Sequence, residues 1–252
     1  MSLPEAIAVL VAGVWAGVAN TVVGSGTLIT FPVLLAVGYS PLTANVSNSL
    51  GLVPGSLSGA YGYRRELVGQ RGRIVRFAPI VILGSVTGAA LLFVLPASAF
   101  ETIVPLFVAM ALVLVILQPR IQRWVVRRRH SRAEASEHGP VINLLTYATG
   151  VYGGYFGAAQ GILLLAILGI ALDDDLRRVN AVKVVLAGIV NGVAAVVFVV
   201  VADVAWEAVL LIAIGATLGG QLGARAGRRL PAGALRVVIV VVGIAAIAKL
   251  TL

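Results

Sequence analysis

Residues 6–63 read AIAVLVAGVWAGVANTVVGSGTLITFPVLLAVGYSPLTANVSNSLGLVPGSLSGAYGY and contain no Asp, Glu, Lys or Arg. About 20 apolar residues cross a bilayer as a helix, so this one run holds more than one membrane segment. Gly24-Ser25-Gly26 interrupts it from within, and Gly38-Tyr-Ser-Pro41 interrupts it again. Charge-free runs recur at 77–100 and 139–172. Over all 252 residues, 60% are hydrophobic and 12% charged, against about a quarter charged in soluble domains. The chain therefore belongs in lipid. Its start has no basic n-region and opens with Pro4 and Glu5, which reads as the first membrane segment and not as a cleaved signal peptide.

Several function classes drop out on composition. Cysteine is absent, and the only histidines, His130 and His138, fall in one polar linker; a thiolate or His-ligated metal site and a Ser-His pair have no material. All ten carboxylates, Glu5, Glu66, Glu101, Glu134, Glu137, Asp173, Asp174, Asp175, Asp203 and Glu207, fall at segment ends or in loops, so no acid/base pair stands within a span. No catalytic residue, metal or cofactor is expected, and no enzyme. The net charge of +9 does not indicate nucleic acid, because the basic residues mark loops instead of gathering on one solvated face.

Polar breaks give candidate segments at about 5–22, 24–38, 42–62, 75–95 and 101–118, then 140–157, 158–171, 179–202, 206–224 and 232–250. Between the two sets lies WVVRRRHSRAEASEH, residues 124–138, the one strongly hydrophilic stretch. The two sets resemble each other. Gly13-Val-Trp-Ala-Gly17 matches Gly150-Val-Tyr-Gly-Gly154; Asn45 and Asn48 align with Asn180 and Lys183; Gly84-Ser-Val-Thr-Gly88 aligns with Gly215-Ala-Thr-Leu-Gly219. Three matches in one order indicate duplication. The expected organisation is a first repeat at 1–118, a basic linker at 119–139 and a second repeat at 140–252.

Basic residues accumulate in cytoplasmic loops, which places 64–76 and the linker in the cytoplasm of a multi-pass protein of the cell membrane. The basic loop 64–76 corresponds to the acidic loop 202–207, and the acidic turn 96–101 to the basic turn 228–231. That reversal of sidedness is the mark of an inverted repeat. The expected fold is all-α: two inverted repeats, each with three long transmembrane helices plus a pair of segments that is re-entrant or broken, for 8–10 membrane segments. Such duplicated breaks point to a carrier's site. Around the first break stand Asn20, Ser25, Thr27 and Thr30; after the Pro41 turn come Asn45, Ser47, Asn48 and Ser49; Gln160, Asn180 and Lys183 are the second-half partners. Any of the neutral ones also serves as an ordinary interhelical hydrogen-bonding residue. Lys183 is either an ionised side chain at depth, which signals function, or an anchor snorkelling to the interface. The glycine series 215, 219, 223 and 227 reads as close helix packing.

Gly13–Pro32, Gly38-Tyr-Ser-Pro41, Ala44-Asn-Val-Ser-Asn-Ser49, Tyr61-Gly-Tyr-Arg-Arg65 and Gly84–Gly88, with their second-half counterparts, together resemble the sulfite exporter TauE/SafE family of membrane permeases over nearly the whole chain. The resemblance implies a secondary transporter of a small sulfur-containing anion such as sulfite, thiosulfate or an organosulfonate, working by alternating access. The alternatives are a carrier of another small anion or solute, or a non-transporting membrane receptor or assembly scaffold. Expected partners are the small anion and the lipid bilayer, with no nucleic acid; a homo-oligomer is compatible with the sequence.

Overall fold

The computed structural model describes residues 1–130, 139–226 and 232–251, and among them finds ten α-helices and no strand. The fold is all-α. The helices are α1 (Leu3–Val22), α2 (Thr27–Val37), α3 (Pro41–Gly62), α4 (Arg71–Val94), α5 (Ala97–His130), α6 (Pro140–Tyr155), α7 (Gln160–Ala171), α8 (Leu176–Val201), α9 (Trp206–Ala226) and α10 (Ala232–Thr251). The linker residues 131–138 and the turn 227–231, on which part of the charge argument rests, lie outside the described residues.

Local chemistry sets these boundaries. Pro41 occupies the first position of α3, and Ser40 Oγ accepts from the Thr43 N–H at 3.2 Å, a start signal of the usual kind. The Asp175 carboxylate caps α8 by accepting from the Arg177 N–H at 3.2 Å. α2 stops at Gly38, whose φ of +105° is left-handed. Five described helices are long and apolar enough to cross a membrane: Leu3–Val22, Arg71–Val94, Ser98–Arg127, Leu176–Val201 and Trp206–Arg225. α2 and α7 have 11 and 12 residues; at about 1.5 Å per residue each reaches roughly half of a 30 Å hydrocarbon core. The largest difference from the expected boundaries is at the end of α5. Where charge ends the apolar run at 118, α5 continues to His130, because Arg, Gln and Leu are strong helix formers whether or not they are apolar.

Every major packing pair has a twin five helices away. α1 packs on α9 as α6 packs on α4; α3 on α9 as α8 on α4; α2 on α10 as α7 on α5; and the pairs α3–α8 and α5–α10 map onto themselves. The motif glycines form these contacts. A Cβ on Gly13 would lie 3.0 Å from Ile212 Cα and 3.4 Å from Gly215 Cα, and one on Gly150 would lie 3.2 Å from both Gly84 Cα and Val81 Cα. Backbones touch there, so only glycine fits.

The same contacts give helix direction. Gly51, Gly55 and Gly62 of α3 meet Ile212, Ala216 and Ala224 of α9 in rising order, so α3 and α9 run parallel, and α1 runs with them through Gly13 against Ile212 and Gly17 against Ala216. α8 runs the other way, with Gly188 against Ser56 and Val184 against Gly59. α4 runs with α8, since Arg73 meets Asp174 and Ser85 meets Val190; α6 follows α4 through Gly84 against Tyr147 and Gly88 against Val151. One end of the bundle thus carries the loop 63–70 and the α7–α8 turn; we call it the basic end. The other, the acidic end, carries 202–207 and the start of α3, where Ser47 Oγ accepts from the Ala205 N–H at 3.0 Å.

At the basic end Asp174 ties the halves together. It accepts from Gln70 at 2.7 Å, from Arg178 at 2.9 Å and from Arg73. Burial pushes its carboxyl up, but the hydrogen bonds from Gln70, Arg73, Arg178 and the Asp175 N–H outweigh that and hold it at about 2.

Candidate functional site

The two breaks meet. The Gly161 N–H donates to the Gly24 carbonyl at 3.1 Å, and a Cβ on Gly24, whose φ is +92°, would lie 2.8 Å from Gly161 Cα. In the second break Gly157 has φ +75° and Ala159 φ +59°; Ala159 is the one non-glycine residue with positive φ among those described. A left-handed alanine costs about 1–2 kcal/mol, the kind of strain that collects at functional turns. Neither α2 nor α7 has a side-chain cap at its start, so their positive ends face the meeting point.

The carbonyls left over at the end of α1 would be costly in lipid without donors. Three side chains from other helices supply them. Lys183 Nζ donates to the Asn20 carbonyl at 3.1 Å, Asn180 Nδ2 to that of Thr21 at 3.2 Å, and Gln118 Nε2 to that of Val23 at 3.2 Å. At the end of α6, Asn45 Nδ2 donates likewise to the Tyr155 carbonyl at 3.0 Å. Lys183 is 1% exposed, which rules out snorkelling, and among the described residues no carboxylate comes within ion-pairing distance of it. The Asn20 carbonyl accounts for one of its three N–H groups.

In the first half the matching residue, Asn48, has a partner at each of its two polar atoms. Asn48 Nδ2 donates to Thr27 Oγ1 at 3.2 Å, and Thr30 Oγ1 donates to Asn48 Oδ1. Asn20 Nδ2 donates to Ser56 Oγ at 3.3 Å, and Gln160 Nε2 to Asn191 Oδ1 at 3.2 Å. Ser25 Oγ, Asn45 Oδ1, Gln160 Oε1 and Asn180 Oδ1 are buried without a described partner. The structure therefore groups Asn20, Ser25, Thr27, Asn45, Asn48, Gln160, Asn180 and Lys183 on or beside the breaks. It does not bring in Ser47, which faces the α8–α9 turn, or Ser49, whose Oγ donates to the Asn45 carbonyl of its own helix at 2.9 Å. The sequence reading missed Gln118, which is 2% exposed and also accepts from Arg236 Nε at 3.1 Å, together with Asn191 and Ser56. Lone polar residues within apolar helices such as LVLVILQ and GIVNGV were the available signal.

Access differs between the ends. At the basic end an open cleft of about 340 Å³ reaches Val22 and Asn180 past Tyr63, Glu66 and Arg177. A neighbouring lobe of about 470 Å³ is bounded by Pro119, Arg123 and Arg127 of α5, and both share Gln122 and Leu176. At the acidic end the space is filled by aromatic rings. Phe31 meets Phe156 edge-on at 5.3 Å, and Phe100, Phe107, Tyr152 and Tyr155 complete the cluster at 5.5–6.2 Å between centroids.

Comparison with known proteins decides the family. The profile of the sulfite exporter TauE/SafE family matches residues 9–250. The chain belongs to that family. Similar proteins include the probable membrane transporter protein YfcA of Escherichia coli K12, 27% identical over 211 residues covering 83% of this chain and 76% of that one. The probable membrane transporter protein ORF9 of a Sinorhizobium species is 29% identical over 239 residues, covering 93% of this chain and 88% of its own. No solved structure matches. As a TauE/SafE protein the chain is a multi-pass membrane transporter of a small molecule; the family and these relatives are described as transporters, not enzymes.

Proposed function

We propose that this TauE/SafE protein is a secondary carrier of a small sulfur-containing anion, such as sulfite, thiosulfate or an organosulfonate. The anion binds between the two breaks, with Lys183 as counter-charge and Asn20, Ser25, Thr27, Asn45, Asn48, Gln160 and Asn180 as hydrogen-bonding surroundings. The observation that carries this reading is Lys183 itself: a lysine 1% exposed, bonded to the carbonyl of Asn20 at the end of α1, with no carboxylate within ion-pairing distance among the described residues. An ammonium held at depth without a counter-ion costs several kcal/mol, and an anionic substrate supplies what is missing.

The carrier is two inverted repeats, 1–118 and 140–252, which rock about the fixed site and expose it to each side in turn. In support, α6, α8 and α9 run opposite to α1, α3 and α4 respectively. The basic end and the linker 119–139 face the cytoplasm, as the excess of Arg there favours, and the membrane is the cell membrane. Purified protein in sealed liposomes should move labelled sulfite, thiosulfate or a sulfonate down an imposed gradient. Flux of a different solute would reassign the substrate, and no flux of any anion under any gradient would leave a receptor or scaffold. Single cysteines at Gly72 and Asp203 of this cysteine-free chain should label from opposite faces; labelling from one face would end the inverted arrangement.

A further inference from the structure

On α8, Arg177, Asn180 and Lys183 follow one another at spacing three, so each neighbours the next and the series winds about a third of the way round the helix in steps of about 4.5 Å. Their exposure falls in the same order. Arg177 is exposed at the cleft mouth, Asn180 is half-buried on the cleft wall, and Lys183 is buried. The matching positions of α3 are Leu42, Asn45 and Asn48, so only the basic end has a charged first step. Arg123 of α5 lines the neighbouring lobe, which shares Gln122 and Leu176 with the cleft. Among the described residues neither guanidinium is ion-paired: Arg123 Nε donates to the Pro119 carbonyl of its own helix at 3.3 Å. Four carboxylates lie in this region: Asp174 is held by Gln70, Arg73 and Arg178, Asp175 caps α8 through the Arg177 N–H, Asp173 is exposed in the same turn and is not among the residues lining the cleft, and Glu66 is the one acid on the cleft wall.

We propose that this mouth is a second anion-binding station, held by Arg177 and Arg123 and distinct from the Lys183 site, which takes a small oxyanion of the sulfite or sulfonate class and passes it by way of Asn180 to Lys183. The proposal rests on the carrier reading above. Guanidinium forks suit oxyanions because they offer paired donors, and exposed basic groups at a concave mouth raise the local anion concentration and the association rate. Being exposed, the station binds weakly and its attraction is screened by salt over about 8 Å at physiological ionic strength.

Equilibrium binding and stopped-flow association of labelled sulfite to the purified full chain test it. The parent should show one tight and one weak, salt-sensitive site. R123Q/R177Q should lose the weak site and associate with the tight one about threefold to tenfold more slowly, with a flattened salt dependence; R123K/R177K, which keeps the charge, should recover most of the rate. K183Q should keep the weak site and weaken the tight one by roughly tenfold to a hundredfold. A parent with a single site, or a weak site that survives R123Q/R177Q, overturns the station while leaving the carrier intact. A tight site unaffected by K183Q overturns the Lys183 reading and the hand-over to it, while the weak site at the mouth stands or falls with R123Q/R177Q.

Discussion

Asn45 and Asn180 hold matching places in the two halves, and their surroundings are opposite. Each sits in the second turn of its helix, donates Nδ2 to a carbonyl at the end of the other half's first helix, and leaves Oδ1 without a described partner. Yet Asn45 is 0% exposed and bonded to the backbone of Tyr155, a member of the ring cluster, whereas Asn180 lines an open cleft. One step on, both polar atoms of Asn48 are engaged, by Thr27 and Thr30, whereas Lys183 has one of its three N–H groups engaged. One architecture is thus closed and apolar at the acidic end, open and basic at the other. On the proposed carrier reading this is one of two states, and the lysine that stands in one half where the other has Asn48 is what that reading assigns to the anion.

The sharpest way to break the comparison is chemical access. N180C should react readily with a membrane-impermeant maleimide from the basic side, and N45C should stay unlabelled from either side; equal labelling of the two would remove the asymmetry. If the rings are what close the acidic end, adding F156A to N45C should bring labelling on from that side.

The meeting of the breaks is the next test. G24A introduces a Cβ at left-handed φ against Gly161, and strain plus overpacking should lower stability by about 2–5 kcal/mol, read as a fall in the thermal midpoint in detergent. Ala159→Gly, which relieves strain at the other break, should be neutral or stabilising, so the sign separates the two. Q118L leaves the Val23 carbonyl without its donor and should cost about 1–3 kcal/mol. Smallest is the clamp at the basic end. D174N should lower stability at pH 7 by about 1 kcal/mol or less, since these pairs are partly exposed. Because the Asp174 carboxyl is held at about 2 against an ordinary value of 3.8, its contribution is present above pH 3.8 and lost as the pH falls toward about 2. The gap between parent and D174N unfolding should close over that window and not between pH 5 and 8.

The sequence made the helical class and the ten segments legible, since charge-free runs punctuated by Gly24-Ser-Gly26, Gly38 and Pro41 leave little else for the chain to do in lipid. It also brought forward both breaks and the pairing of Asn48 with Lys183. The extension of α5 past 118 was hidden because hydropathy registers where apolar character stops, while helix propensity continues through Gln and Arg. Gln118 and Asn191 stood out only as lone polar residues in apolar helices, and their roles stayed hidden because these are set by which carbonyl or amide faces each from another helix. Ser47 carried the motif's chemistry, but folding turns it onto the Ala205 N–H. The aromatic closure draws on α2, α5, α6 and the α6–α7 turn, so no local stretch announces it.

The central claim is that Lys183 supplies the charge that binds the anion, and K183Q tests it most directly. Gln keeps a polar side chain and removes the charge, and a charge-assisted hydrogen bond contributes about 1.5–3 kcal/mol. Isothermal binding of sulfite, thiosulfate or a sulfonate to K183Q with a parent-like thermal midpoint should therefore be weaker by roughly tenfold to a hundredfold. The same affinity in parent and variant would mean that Lys183 only caps the Asn20 carbonyl at the end of α1, and the account of an anion site at the breaks would be wrong.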